Sequence, residues 1–349
     1  MTTEPTPDPS SSPGRHAGEP IVIDLDSPSL APPTGHTTGA VICVSSRGLV
    51  TTDASERWLE SSLFGLTDAE PVDSRFVRVA SVSAAVSECF ARMEARPLAT
   101  SILSDVLGAY ARHRDAAAAL ITESLAYSTL QSGPEFAKWL STQGPRCRHE
   151  AERCVVLERA DHRLDIAFDR PAQHNAFSDN LRAGLLDGLE IALADASVTE
   201  LSLSGRGPSF CSGGDLREFG SFVDPASSHL ARMVHSPAAL LERLRNRLNV
   251  GLSASVHGAT MGSGLEMAAF CAVITAHPDT RFGLPELMLG LIPGAGGTVS
   301  VTRRIGRWRT AYLVISGELI DATTALRWGL VDAVGDTVDD VPYSTTMNT

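Results

Sequence analysis

Residues 256–298 read VHGATMGSGLEMAAFCAVITAHPDTRFGLPELMLGLIPGAGGT, a stretch that holds two glutamates in restrained backbone. Glu266 follows Gly262-Ser263-Gly264 and opens an apolar run. Glu286 follows Phe282-Gly283-Leu284-Pro285, and a Gly-rich turn from Pro293 to Gly297 closes the stretch. Taken singly, each piece reads as helix punctuation. Ser263-x-x-Glu266 fits a capping box, in which both side chains satisfy free N–H groups of a first helical turn. Glu286 after Pro285 fits a first-turn carboxylate favoured by the helix dipole. The glycines fit turns. Their combination, in this order and at this spacing, is what chance does not readily supply.

Composition narrows the function classes. The chain has 349 residues, 43% hydrophobic and 20% charged, as in a globular protein of one large or two ordinary domains. A net charge of −12 argues against a general affinity for nucleic acid. The opening MTTEPTPDPSSSPG has neither the basic nor the apolar segment of a signal peptide, and no apolar run reaches the length of a membrane span. The expectation is a cytoplasmic protein with no membrane partner. Six cysteines are scattered without a CxxC pair, which reads as reduced thiols and neither a disulfide framework nor a zinc site. Lys138 is the only lysine. The GAGGT run at 294–298 therefore cannot be a Walker A loop, and Schiff-base or pyridoxal-phosphate chemistry would need Lys138 itself.

Along the chain, residues 1–38 are rich in Pro, Ser, Thr and Gly and read as a disordered tail. Ala40–Val44 and Leu49–Thr51 read as short strands and Trp58–Leu66 as a helix. From Ser81 to Leu140 the period is helical, with Leu98, Ile102, Val106 and Tyr110 on one face and a break at Gly133-Pro134. This mainly helical region, 39–150, shows no catalytic constellation and reads as a packing or oligomer-contact element. Gln143–Glu152 reads as a link. From 151 to 334 strands alternate with helices, which argues for an α/β core. The strands are Cys154–Leu157, Leu164–Phe168, Leu201–Leu203, Val250–Val256 and Ala272–Ala276. The helices are one capped by Ser178 and carrying Leu181, Leu185, Leu189 and Leu193, then Leu230–Leu248, Trp308–Ile315 and Asp321–Trp328. Residues 335–349 form a short polar tail.

Five pieces carry a resemblance: RPAQHNAF from Arg170, FCSGGDL from Phe210, HGATMGSGLEMAAFC from His257, FGLPELMLGLIPGAGGT from Phe282 and GLVDAV from Gly329. In this order they make the chain from about Val155 to Val334 similar to the crotonase superfamily, the enoyl-CoA hydratase/isomerase family. The resemblance implies a crotonase-like spiral of ββα units, here preceded by the small helical region. It implies an enoyl-CoA hydratase-like lyase acting on an acyl-CoA thioester, as in fatty acid metabolism. Coenzyme A enters as part of the substrate, no cofactor is held tightly, and the expected assembly is a homotrimer or dimer of trimers. By position Glu266 and Glu286 would be the acid/base pair. The N–H groups of Gly214 and Ser263 would form an oxyanion hole, and Gly294 would hold the catalytic water. Gln173, Asn175 and Ala176 would line the adenine side of the coenzyme site. Asp215 is counted with the coenzyme-binding residues. Arg217 sits where a basic residue meets pantetheine or phosphates, or is simply a solvated helix-start charge. His257 reads as a turn residue and Cys211 as packing.

The chain also departs from the family pattern. The first 150 or so residues are additional, and only about fifteen polar residues follow GLVDAV, where members usually continue with covering helices. The N-terminal helices are therefore expected to supply part of that covering layer. An enoyl-CoA isomerase, a cofactor-independent acyl-CoA dioxygenase of the same fold and a non-catalytic acyl-CoA-binding protein remain open alternatives.

Overall fold

The computed structural model describes residues 18–27, 39–144, 154–221 and 224–335. Most of the expected tail 1–38, most of the link 143–152 and nearly all of the polar tail 335–349 lie outside these residues.

Part of the expected tail is a strand. β1 (Gly18–Asp24) pairs in parallel with β2 (Gly39–Val44), which then pairs with β3 (Phe64–Thr67) and β4 (Phe76–Arg78) in one four-stranded parallel sheet. The signal was the β-branched run Ile21-Val22-Ile23, overshadowed by its Pro- and Ser-rich flanks. Ile23 and Leu25 are buried with Val41, Cys43, Trp58, Leu59 and Phe76. α1 (Asp53–Ser61) ends before the expected Leu66, and Phe64–Thr67 turn into the buried β3. An apolar run this short cannot be assigned to helix or strand by periodicity alone. Leu49–Thr51, expected as a strand, is loop after the left-handed Gly48. The rest of this region is helical as expected: α2 (Val82–Ala95), α3 (Pro97–His113), α4 (Ala116–Gln131) and α5 (Pro134–Leu140).

The second region builds the ββα spiral. Its strands are β5 (Val155–Ala160), β6 (Arg163–Phe168), β7 (Glu200–Gly205), β8 (Leu252–Val256), β9 (Ala259–Met261), β10 (Val273–Ala276), β11 (Arg281–Gly283), β12 (Ile320–Asp321) and β13 (Ala333–Val334). The main sheet runs β13-β10-β8-β7-β6-β5, parallel except for the β5–β6 hairpin. After each inner strand the chain steps into a second layer. Phe177, after β6, bridges Gly214; Cys211, after β7, bridges Thr260 in β9; and β9 pairs in parallel with β11. Alternation fixes the inward faces, with Leu164, Ile166 and Phe168 buried in β6 and Leu252, Ala254 and Val256 in β8.

Helices complete the units: α6 (Asp179–Ala194), α7 (Pro225–Val234), α8 (Pro237–Leu248), α9 (Ser263–Ala268), α10 (Gly297–Ser316) and α11 (Ala322–Trp328). Ser178 caps α6 by accepting from Leu181 N, and Leu181, Leu185 and Leu189 are buried as expected. The expected single helix Leu230–Leu248 is two, because Pro237 cannot sit in a helix interior and instead starts α8. The expected Trp308–Ile315 helix reaches back to Gly297, with a break at Gly306 in a glycine conformation of φ 79°.

One buried cluster draws on both sides of residue 150. It holds Leu103 and Leu107 of α3, Phe64 of β3, and Val299, Val301 and Leu313 of α10. Polar clasps accompany it. Trp308 donates its indole N–H to Leu59 O at 3.0 Å. The Glu135 carboxylate of α5 accepts from Leu98 N and Ala99 N at the start of α3, while the backbone and Cβ of Glu135 lie against Gly290. Each large aliphatic side chain so buried contributes about 1.5–3 kcal/mol. A chain beginning at Gln143 would bare the α10 face that meets α3 and β3. It is expected to be insoluble or molten, as read by near-ultraviolet dichroism; a native spectrum and cooperative melting would contradict the shared core.

Candidate active site

Glu266 sits in the first turn of α9, whose N-cap is Gly262 with φ 46° and no side-chain cap. The capping-box reading is thereby corrected. Ser263 is already helical, and the Glu266 carboxylate turns away from its own helix. Its Oε2 accepts from Ala295 N at 2.7 Å and Gly297 N at 2.8 Å, at the start of α10. Gly297 is needed there because a Cβ would lie 2.6 Å from Glu266 Cγ. Glu286 begins a short 3-10 turn, Glu286–Leu289, behind Pro285. Its Oε1 would lie 2.7 Å from any Cβ at Gly262, and its Oε2 is buried without a hydrogen-bond partner.

The backbone of the two glycine turns runs side by side. Cys211 N donates to Ala259 O and Met261 N to Cys211 O, which sets residues 211–214 along 260–263. Gly264 presses on Cys211, where a Cβ would meet the cysteine Cβ at 2.6 Å. Cys211 is fully buried and packs, as expected. The N–H groups of Gly214, Ser263 and Gly294 have no acceptor among the described residues, and all three residues line one cavity with Glu266 and Glu286. The cavity measures ≈ 190 Å³.

A third carboxylate enters this cavity from the N-terminal region, where none was expected. Glu123 of α4 is 2% exposed. Its Oε1 accepts from Gly296 N at 2.7 Å, and its Oε2 from Thr298 N at 2.9 Å and Thr298 Oγ1 at 2.6 Å. One turn further along α4, the Tyr127 ring lies against Gly294, whose Cβ, if present, would be 2.3 Å from Tyr127 Cδ2. Arg232 of α7 stacks on that ring at 4.6 Å and donates to Gln131, Ser124, Ser128 and Ser228. The sequence did hold a signal. Leu120, Glu123, Ser124, Tyr127 and Gln131 share one helical face, so a glutamate falls on a stripe otherwise read as packing.

Dry surroundings and mutual repulsion govern the three carboxyls. Burial raises Glu266 well above the ordinary range, and the charges of Glu286 and Glu123 push it further, against the pull of the Gly297 and Ala295 N–H groups. Burial raises Glu286 as well, with Glu123 adding to it. Burial also raises Glu123, while its bonds from Thr298 and Gly296 draw it back. The charge of Glu123 thus opposes ionisation of both Glu266 and Glu286.

The expected coenzyme-side residues behave differently. Asp215 is held by Arg170 at 2.8 Å and by Arg217 at 2.6 Å. Burial alone would raise its carboxyl, but the Arg217 and Arg170 guanidiniums bring it down to about 2. The pair ties the Arg170 loop to the glycine turn, and Asp215 lines the cavity while Arg217 stands outside it. Asn175, fully buried and left-handed at φ 53°, spends its amide on Arg170 N, Arg206 O and Ser209 O. Gln173, Asn175 and Ala176 are not part of the cavity lining. His257 Nε2 donates to Gly207 O at 2.8 Å and serves a turn.

A family model described as enoyl-CoA hydratase/isomerase matches residues 161–344, and the chain belongs to that family. It is 35% identical over 180 residues to the 2,3-dehydroadipyl-CoA hydratase of Escherichia coli K12, which covers 52% of this chain and 68% of that one. It is 36% identical over 157 residues to a probable enoyl-CoA hydratase of Bacillus subtilis 168, which covers 45% of this chain and 60% of the relative. The solved structure of Pseudomonas aeruginosa DspI aligns over 55% of this chain and 71% of its own, at 30% identity and a TM-score of 0.48. Among the described residues no helix is long and apolar enough to cross a membrane.

The raised carboxyls cost stability on the alkaline side. Between the ordinary glutamate range and the raised one, the folded chain binds more protons than the unfolded chain, so unfolding free energy falls as pH rises. Glu286→Gln removes one such group. Relative to the parent it is expected to gain about 1–3 kcal/mol between about pH 5 and about pH 8, read by denaturant titration at each pH.

Proposed function

We propose that this chain adds water to, or eliminates it from, an acyl-CoA thioester. The observation that carries the reading is the convergence of Glu266, Glu286 and the unpaired N–H groups of Gly214 and Ser263 on one cavity. In hydration the thioester oxygen would accept from those two N–H groups. Attack of water at Cβ then leaves negative charge on that oxygen as an enolate, which preorganised donors stabilise. Glu266, oriented by two N–H groups, takes the proton from water held near Gly294 N–H. Glu286, which lines the cavity with one oxygen free of hydrogen-bond partners and whose burial favours the protonated form, delivers a proton to Cα. Water is thus divided between Cβ and Cα, and the carboxyls exchange protons to restore the start.

A second reading is double-bond migration, in which Glu286 alone moves a proton between Cα and Cγ. The Tyr127 ring against Gly294 favours it by narrowing the space for a water there. The homotrimer or dimer of trimers stays within this proposal and would be read by sedimentation.

Incubation with short, medium and aromatic enoyl-CoA thioesters in deuterated water tests the reading. Deuterium at Cα with loss of enoyl absorbance is expected, and Glu266→Gln or Glu286→Gln should lower the rate by about 100- to 10,000-fold. Exchange without hydration would support migration. Tight binding without exchange would leave an acyl-CoA-binding protein, and oxygen uptake would mark the dioxygenase.

A further inference from the structure

The N-terminal region was expected to pack or to cover. It packs, and its Glu123 also shares the start of α10 with Glu266. The N–H groups of residues 295 to 298 alternate between the two side chains: Ala295 and Gly297 donate to Glu266, Gly296 and Thr298 to Glu123. Extended or turn-like backbone points successive N–H groups to opposite sides, so fixing one set fixes the other. A carboxylate that only capped a helix would not need to stand opposite the acid–base pair, dry and across a single peptide from it.

We infer that Glu123 is a positioning residue for the acid–base pair: it anchors residues 296 and 298 so that residues 295 and 297 aim Glu266, and its charge sets how the pair holds protons. The inference rests on the proposed reading of the site. The groups facing Glu123 are few. Tyr127 lies on its own helix, Arg232 comes from α7, Glu266 from α9, Glu286 from the turn behind Pro285, and Thr298 from α10. Arg232 is the cation whose charge draws Glu123 down, and Arg182 and His235 line the same cavity. Glu123 touches neither α- nor β-carbon chemistry in this scheme. It acts through Glu266 and through the field it imposes on Glu286.

The full-length Glu123→Gln variant tests this. Loss of one negative charge lowers the pH at which the remaining carboxyls ionise. The alkaline limb of the kcat/KM profile for enoyl-CoA hydration is expected to move down by about one pH unit, with kcat falling about 10-fold at neutral pH and KM changing little. Thr298→Val disturbs the same anchor but keeps the charge. A merely structural Glu123 would make the two variants alike, each slower at every pH with an unmoved profile, and that result would overturn the inference. Carbon-13 spectra of protein labelled at glutamate side-chain carboxyls give a readout free of activity. In Glu123→Gln the two remaining high-titrating carboxyls should ionise at lower pH; unchanged midpoints refute the inference whatever the activity. A parent inactive toward every thioester but with shifted midpoints would refute the functional reading and leave the proton coupling in place. If Glu123→Gln does not fold, the parent and Glu286→Gln decide. Three coupled high-titrating carboxyls in the parent, with both survivors moved in Glu286→Gln, are expected; a third carboxyl ionising independently overturns the inference.

Discussion

Four consecutive backbone N–H groups at the start of α10 meet two buried carboxylates in alternation. Removing a carboxylate from water is costly unless donors replace the lost hydration. A helix start supplies those donors with a favourable field. The rest of the site follows from this contact. Residue 297 must be glycine because Glu266 occupies the place of its side chain, and residue 262 must be glycine because Glu286 does the same. The parallel strands β8 and β10 bring α9 and the Glu286 turn to the same end of the sheet, and α3 and α4 hold α10 from the other side.

Environment assigns different work to identical side-chain chemistry within a short distance. Asp215, gripped by two guanidiniums, stays ionised and serves as a tie between two loops. Among the described residues no guanidinium grips Glu266 or Glu286, and burial raises both carboxyls. The carboxyls proposed to exchange protons stand without a guanidinium partner among the described residues. Asp215, which only holds, is given two.

Much of this was legible. The glycine turns, the two glutamates and the capped leucine face of α6 are local patterns whose physics acts over a few residues. Gly214 and Ser263, expected as an oxyanion hole, and Gly294, expected near the water, line one cavity with the glutamates, and their roles belong to the proposal. What local pattern could not give was partnership. Ser263-x-x-Glu266 has the spelling of a capping box, but its carboxylate found better donors about thirty residues on, at the start of α10. Glu123 looked like one polar residue on a packing face, and only the docking of α4 on α10 gives it partners. Strands β3 and β4, of four and three residues, escaped because each is too short to show a period, and β1 because Pro- and Ser-rich flanks overshadow its β-branched run.

The contacts between Glu123 and the start of α10 span 173 and 175 residues of chain. Loop closure over such a distance is slow, and contacts of this kind form late. Secondary structure in the spiral can therefore be complete while the carboxylate cluster is still open to water. On a ribosome the N-terminal helices emerge first and wait, with one face uncovered, until α10 is made. The Glu123 anchor is thus expected to close only once α10 has been made, after the local structure on either side of it.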